Sequence, residues 1–130
     1  MSKILLDKTI FIDFFNSDSS ARSIIKKIID KELTASVSPI TLYDLWKMES
    51  FDRKYEISTT AILKFIEVAT LSISAAKSAA NLISKLNLVD ADKDIYLSSL
   101  IAATAKERNE SICTRNIDTY NKFDIEIFDY

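Results

Sequence analysis

The chain has no glycine and no histidine, and one proline, one cysteine and one tryptophan among its 130 residues. Glycine-rich phosphate loops and dinucleotide fingerprints need glycine for their backbone geometry, so nucleotide binding of the P-loop or Rossmann kind is excluded. Without histidine there is no imidazole zinc site and no Ser-His-Asp hydrolase. A lone cysteine, Cys113, forms no internal disulfide, which points to a reducing, cytoplasmic setting. With no histidine to activate its thiol, Cys113 reads as a small apolar residue of a strand rather than a nucleophile. The start, MSKILLDK, has no apolar signal-type region, and the apolar stretches are broken well before membrane-spanning length, so no membrane partner is expected. A net charge of −2 supplies no field that would steer the chain to nucleic acid.

What is present fits one globular domain, 1–130, with a hydrophobic fraction of 48% that is too high for a disordered segment. Carboxylates, hydroxyls, asparagine, lysine and arginine remain for chemistry, and that set suits a hard cation such as Mg²⁺ held through oxygen. The most informative stretch is LSSLIAATAKERNESICTRN, residues 97–116. It reads as an apolar helix, a polar turn and a short strand, SICT, that stops at Thr114-Arg115-Asn116. The first strand, KILLD, ends on Asp7 in the same way. Open α/β sheets gather polar groups at the carboxyl ends of their strands, so two such ends predict a site assembled by the fold.

Along the chain, apolar and amphipathic segments alternate without linker or repeat. Residues 3–7 predict a buried strand, 9–15 a short helix, and Asn16 to Ser19 a turn with capping residues. Ile24, Ile25, Ile28 and Ile29 share one face of the next helix. Thr34 to Val37 predicts a second strand, and Ser38-Pro39 opens a helix carrying Leu42, Asp44, Leu45 and Trp46. Ser58-Thr59-Thr60 predicts a helix start with the helix over 60–68, residues 70–73 a third strand, and Ser74 the cap of the helix that follows. A polar joint spans 87–94, a turn lies near Asn121, and 124–128 predicts the last strand. Alternation of this kind implies a mostly parallel sheet with helices on both faces. Tyr43, Trp46 and Phe51 suit a core, an RNA-stacking platform or a partner surface, with core the default. The density of Ile, Leu, Phe and Trp between Ile24 and Ile66 predicts apolar area left over on these helices, to be covered in a homodimer or by another protein.

LLDKTIFIDFF, SPITLYDLWK, and YLSSLIAATA followed by ICTRN, in this order and spacing, resemble the motifs of the PIN-domain family, and within it the small VapC-type toxins. The resemblance covers nearly the whole chain. It implies an α/β fold, a three-layer α/β/α sandwich with a mainly parallel five-stranded sheet. It also implies an endoribonuclease that uses Mg²⁺ or Mn²⁺ to hydrolyse RNA phosphodiesters, and a small antitoxin partner. A hard divalent ion needs several anionic oxygens, and the bound ion polarises phosphate and lowers the pKa of an attacking water.

Position by position, the resemblance puts Asp7 on the family's first acid, as a metal ligand, and Asp44 where a glutamate is usual. Ser98 occupies the third acidic position. Asp94, four residues earlier on the same helical face, is a partial substitute. Asn116 matches the TRN position, and Thr119, with Asp118 beside it, stands where a further acid is often found. Lys8 replaces a small hydroxyl residue, and an ammonium there would neutralise Asp7 without metal. Lys8 and Arg115 are the candidate RNA contacts, although Arg115 equally suits a surface ion pair. Each acid also has an ordinary reading: a strand-end or cap for Asp7, a solvated helix face for Asp44, and the acidic joint at a helix start for Asp94. The alternative function is a catalytically degenerate PIN fold acting as a binding or dimerisation module, and Ser98 divides the two. A receiver domain of similar strand order fits less well, lacking a lysine at the end of its last strand.

Overall fold

The computed structural model describes residues 2–130. Among them, strand β1 (Lys3–Leu6) leads into helix α1 (Lys8–Phe15), followed by α2 (Ser19–Ile29), β2 (Thr34–Val37), α3 (Pro39–Trp46) and α4 (Arg53–Leu63). The chain continues through β3 (Glu67–Val68), α5 (Ile73–Lys85), α6 (Lys93–Arg108), β4 (Ser111–Cys113), α7 (Ile117–Asn121) and β5 (Ile127–Phe128). The strands form one sheet in the order β3-β2-β1-β4-β5. Every pairing is parallel, with Leu5 opposite both Ser36 and Ile112.

The sheet is covered on both faces, and the alternation of β1 shows how. Ile4 and Leu6 join a core made with α1 to α4, including Phe11, Ile24, Ile25, Ile28 and Leu45. Leu5 points the other way, into a second core with Ile101, Ala102 and Ala105 of α6 and with Tyr120 and Phe123. Central parallel strands need this two-sided apolar character because helices cover both faces. Outside α6, the small side chains Ala75, Ala79 and Ala103 let α5 pack closely against it.

Several local expectations are corrected. The helix expected over 60–68 is α4, which begins seven residues earlier because the Asp52 carboxylate accepts a hydrogen bond from the Tyr55 N–H and caps it. The Ser58-Thr59-Thr60 cluster therefore lies inside the helix, with Thr59 buried. The third strand is β3 rather than 70–73, and Ala69 N–H extends its pairing to the Val37 carbonyl. Ser72, not Ser74, caps α5, its hydroxyl accepting from Ala75 N–H at 2.9 Å. The turn expected near Asn121 is present at 122–124, directly after the short helix α7, and the last strand, expected over 124–128, is β5 alone.

Without glycine, the chain leaves its helices through other residues in the left-handed region. Ser17, Lys31, Asn87, Asn109 and Asp124 have φ of 63°, 63°, 56°, 59° and 53°. Each follows the end of a helical segment, where glycine is the usual choice.

The sequence order reverses direction at β1: β2 and β3 lie to one side, β4 and β5 to the other. A crevice opens outside the carboxyl ends of strands at such a switch point. Asp7 and Thr114 immediately follow the two strands that flank it.

Candidate functional site

Beyond the carboxyl end of β1, a cleft of about 70 Å³ is lined by Asp7, Lys8, Asp44, Asp94, Leu97, Ser98, Ile101, Asn116 and Tyr120. The fold thus brings together Asp7, Lys8, Asp44, Asp94, Ser98 and Asn116, six positions from four separate segments of the sequence. Asp7 and Ser98 are buried, whereas Asp94 and Asn116 are exposed at the margin. The space is on the order of a few water molecules.

Asp7 is fixed on every side. Its backbone N–H bonds the Cys113 carbonyl at 3.1 Å, which carries the β1–β4 pairing one residue past the strands. The Thr114 hydroxyl donates to Oδ2 at 2.7 Å and the Tyr120 hydroxyl to Oδ1 at 3.1 Å. Thr114 Oγ1 also accepts the Asn116 N–H at 2.9 Å, and Thr9 Oγ1 accepts the Arg115 N–H at 3.1 Å. Burial pushes the Asp7 carboxyl up from its ordinary value. The Thr114 hydroxyl, the Lys8 N–H, the Tyr120 hydroxyl and the Lys8 charge offset only part of that rise.

Asp44 is held differently. Lys8 Nζ lies 2.8 Å from Oδ2, and Lys47 Nζ lies 3.0 Å from Oδ1. Burial works upward on this carboxyl too. Here the two ammonium groups prevail and hold it below the usual carboxylate range. Lys8 was expected to neutralise Asp7; its direct partner is Asp44, because at the first position of α1 its side chain crosses to α3.

Two participants were not foreseen. Lys47 stands three residues after Asp44 on the same helix, a spacing that puts the pair within reach. Tyr120 lies four residues after Asn116, and only the formation of α7 turns its hydroxyl inward. Burial and then the nearby Asp7 charge push that phenol well above its usual value.

Arg115 lies outside the cleft. It pairs with Asp13 and Asp18, each at 3.1 Å, and its guanidinium lies 4.4 Å from the centre of the Tyr130 ring. Of its two readings, the geometry is that of the surface ion pair. The aromatic residues of the α3 region also divide: Tyr43 and Trp46 are 60% and 49% exposed, which corrects the core expectation. Phe51 packs beside the stacked rings of Phe15 and Tyr55, against the first core.

These side chains do not suit a divalent cation as arranged. Both oxygens of Asp44 face ammonium groups, both oxygens of Asp7 accept hydroxyl donors, and Ser98 adds no charge. Among the described residues, no three acidic or cysteine side chains come together as a metal-binding group. The cleft is lined by three carboxylates, those of Asp7, Asp44 and Asp94, and by the Lys8 ammonium, while Lys47 reaches Asp44 from outside it. Mg²⁺ needs anionic oxygens free to coordinate, and those of Asp7 and Asp44 are already engaged.

An all-parallel α/β sheet with acids at the carboxyl edge of its central strand defines the class of fold. The chain belongs to the PIN-domain family, whose model matches residues 4–125. Solved structures share the fold at low identity. They include VapBC2 from Rickettsia felis bound to a DNA fragment from its promoter, with a TM-score of 0.77, 17% identity and 98% of each chain covered. DNA-bound VapBC from Salmonella typhimurium has a TM-score of 0.76 and 20% identity, over 99% of this chain and 98% of that one. VapBC-1 from nontypeable Haemophilus influenzae has a TM-score of 0.73 and 19% identity, over 98% and 97%. No curated protein matches the sequence. Among the described residues no helix is long and apolar enough to cross a membrane.

Proposed function

We propose that this chain is a single-domain, cytoplasmic PIN protein of the toxin–antitoxin type that works by binding a protein partner, its nuclease cleft closed by internal ion pairs. The observation that carries this reading is the Asp44 carboxylate with an ammonium at each oxygen, 2.8 and 3.0 Å away. A partner has apolar surface to cover: Ile29 and Phe65 are exposed beside a groove between α2 and α4 lined also by Phe14, Ile25 and Ile62. The structural neighbours are described as VapBC and toxin–antitoxin complexes, which supports a small antitoxin as that partner. The exposed Tyr43 and Trp46 offer a second apolar face, for a homodimer.

The second reading is a weak Mg²⁺- or Mn²⁺-dependent endoribonuclease. What favours it is the convergence of Asp7, Asp44, Asp94 and Asn116 on one cleft. Calorimetric titration of Mn²⁺ into EDTA-treated protein, with cleavage of a labelled RNA followed in parallel, separates the two. The binding reading expects no saturable Mn²⁺ uptake and no cleavage by the wild type. Cleavage that is lost in Asp7→Asn and strengthened in Ser98→Asp would establish the nuclease instead.

A further inference from the structure

We infer that the Lys8 ammonium is the resident cation of this cleft, and that its tethered charge, more than the serine at position 98, keeps a divalent ion out. This inference rests on the closed-cleft reading of the site and names the residue responsible.

Lys8 is the first residue of α1, directly after the strand-end acid Asp7. A helix N-terminus carries positive partial charge and favours anions, so an ammonium there is locally unfavourable. No acid lies within the first turn, and the one acid at this helix end is its N-cap, Asp7. The compensation is tertiary: Nζ sits 2.8 Å from Asp44 Oδ2, with Asp7 lining the same small space. The side chain keeps about a third of its surface accessible, so the ammonium plugs the cleft from its mouth. Lys47 also touches Asp44, yet it does not line the cleft. Removing Lys47 would relax the rim. Removing Lys8 would free Asp44 Oδ2 beside Asp7, with Lys47 left on Asp44 Oδ1 and the Thr114 and Tyr120 hydroxyls on Asp7, and two carboxylates lining one small space repel unless a cation joins them. A free divalent ion entering beside Lys8 meets like charge at short range in a poorly solvated space, whereas in its absence it meets two anions. Asp94 at the margin and the Ser98 hydroxyl then stand as further oxygen donors. Lys8 thus masks a latent metal site.

The test compares the full-length wild type with Lys8→Met, which keeps the aliphatic stem, Lys8→Arg, which keeps the charge, and Lys47→Met. Each protein is stripped with EDTA and titrated with MnCl₂ by calorimetry, with melting temperature followed against MnCl₂ concentration. Lys8→Met is expected to bind Mn²⁺ at least about tenfold more tightly than the wild type and to gain a Mn²⁺-dependent rise in melting temperature. That gain disappears when Asp7→Asn is added. Lys8→Arg and Lys47→Met stay as indifferent to Mn²⁺ as the wild type. A folded Lys8→Met with no gain overturns the inference while leaving the closed-cleft reading intact. Tight Mn²⁺ binding by the wild type overturns both. Should Lys8→Met unfold in EDTA, Lys8→Thr is tested alongside it: refolding of either on Mn²⁺ supports the masked site, and failure of both to refold rejects it.

Discussion

Replacing Tyr120 by phenylalanine removes one hydroxyl and keeps the ring that fills the second core. That hydroxyl donates to Asp7 Oδ1 at 3.1 Å, and both residues are buried, so no water readily takes its place. A hydrogen bond to a charged group contributes about 1.5–3 kcal/mol and one to a neutral group about 0.5–1.5 kcal/mol. The size of the loss therefore depends on the ionisation of Asp7. Its folded-state pKa lies above its unfolded value, chiefly through burial, so folding becomes less favourable as pH rises through the interval between the two. Tyr120 works against that rise by favouring the carboxylate. Without it the folded pKa climbs further and the loss of stability towards neutral pH deepens. Urea denaturation is expected to give a deficit for Tyr120→Phe of about 2 kcal/mol at neutral pH, with a fall in melting temperature of roughly 6–10 °C. The deficit should shrink at acid pH, where Asp7 is protonated in both proteins. A deficit that is constant across this range would refute the coupling between the phenol and the carboxylate, and no deficit at all would refute the contact.

At the sheet's β2 strand, the Ser36 hydroxyl donates towards both oxygens of buried Glu110 at 2.9 Å, and Arg108 Nε lies 2.7 Å from Oε1. Glu110→Ala leaves that serine without its acceptor and the Arg108 guanidinium with Glu67 alone, 3.3 Å away, and is expected to cost about 2–4 kcal/mol in chemical denaturation, with Glu110→Gln recovering part of it. Burial pushes the Cys113 thiol up to about 12, so a thiol reagent at neutral pH should label the native protein no faster than the protein unfolds. Labelling at the rate of a free thiol would contradict its place in β4.

The elements legible in the sequence are those whose signal is local. KILL and SIC have the uninterrupted apolar character of strands covered on both faces, and Ser38-Pro39 opens α3 where a cap followed by proline would put it. The errors fall where local signals compete. Three hydroxyl residues at 58–60 imitate a helix start, but the cap that wins is Asp52, whose carboxylate reaches the Tyr55 N–H. Strand β3 has only two residues, both exposed, so it carries no apolar pattern to read. Within the cleft, the linear motifs put Asp7, Asp44, Ser98 and Asn116 in one place, because Asp7 and Asn116 cap the helices that follow two neighbouring strands and Asp44 and Ser98 lie within α3 and α6, which border the same cleft. The partner of Lys8 could not be read from its neighbour in sequence, since which acid it meets depends on where α3 crosses α1. Tyr120 was hidden for the same reason, its hydroxyl turning inward only once α7 has formed.

The five left-handed exits from helices have a consequence for the unfolded chain. A glycine at such a point is free of steric penalty when folded but is the most mobile residue when unfolded. This protein makes the opposite trade at all five positions, with a serine, a lysine, two asparagines and an aspartate. Each accepts local backbone strain, on the order of 1 kcal/mol for a residue such as Lys31, in exchange for a denatured chain with fewer conformations to lose. A Lys31→Gly change therefore has two opposed effects, relief in the native turn and a larger entropy loss on folding. Stability here is drawn partly from the stiffness of the disordered state, a contribution that no contact in the folded molecule records.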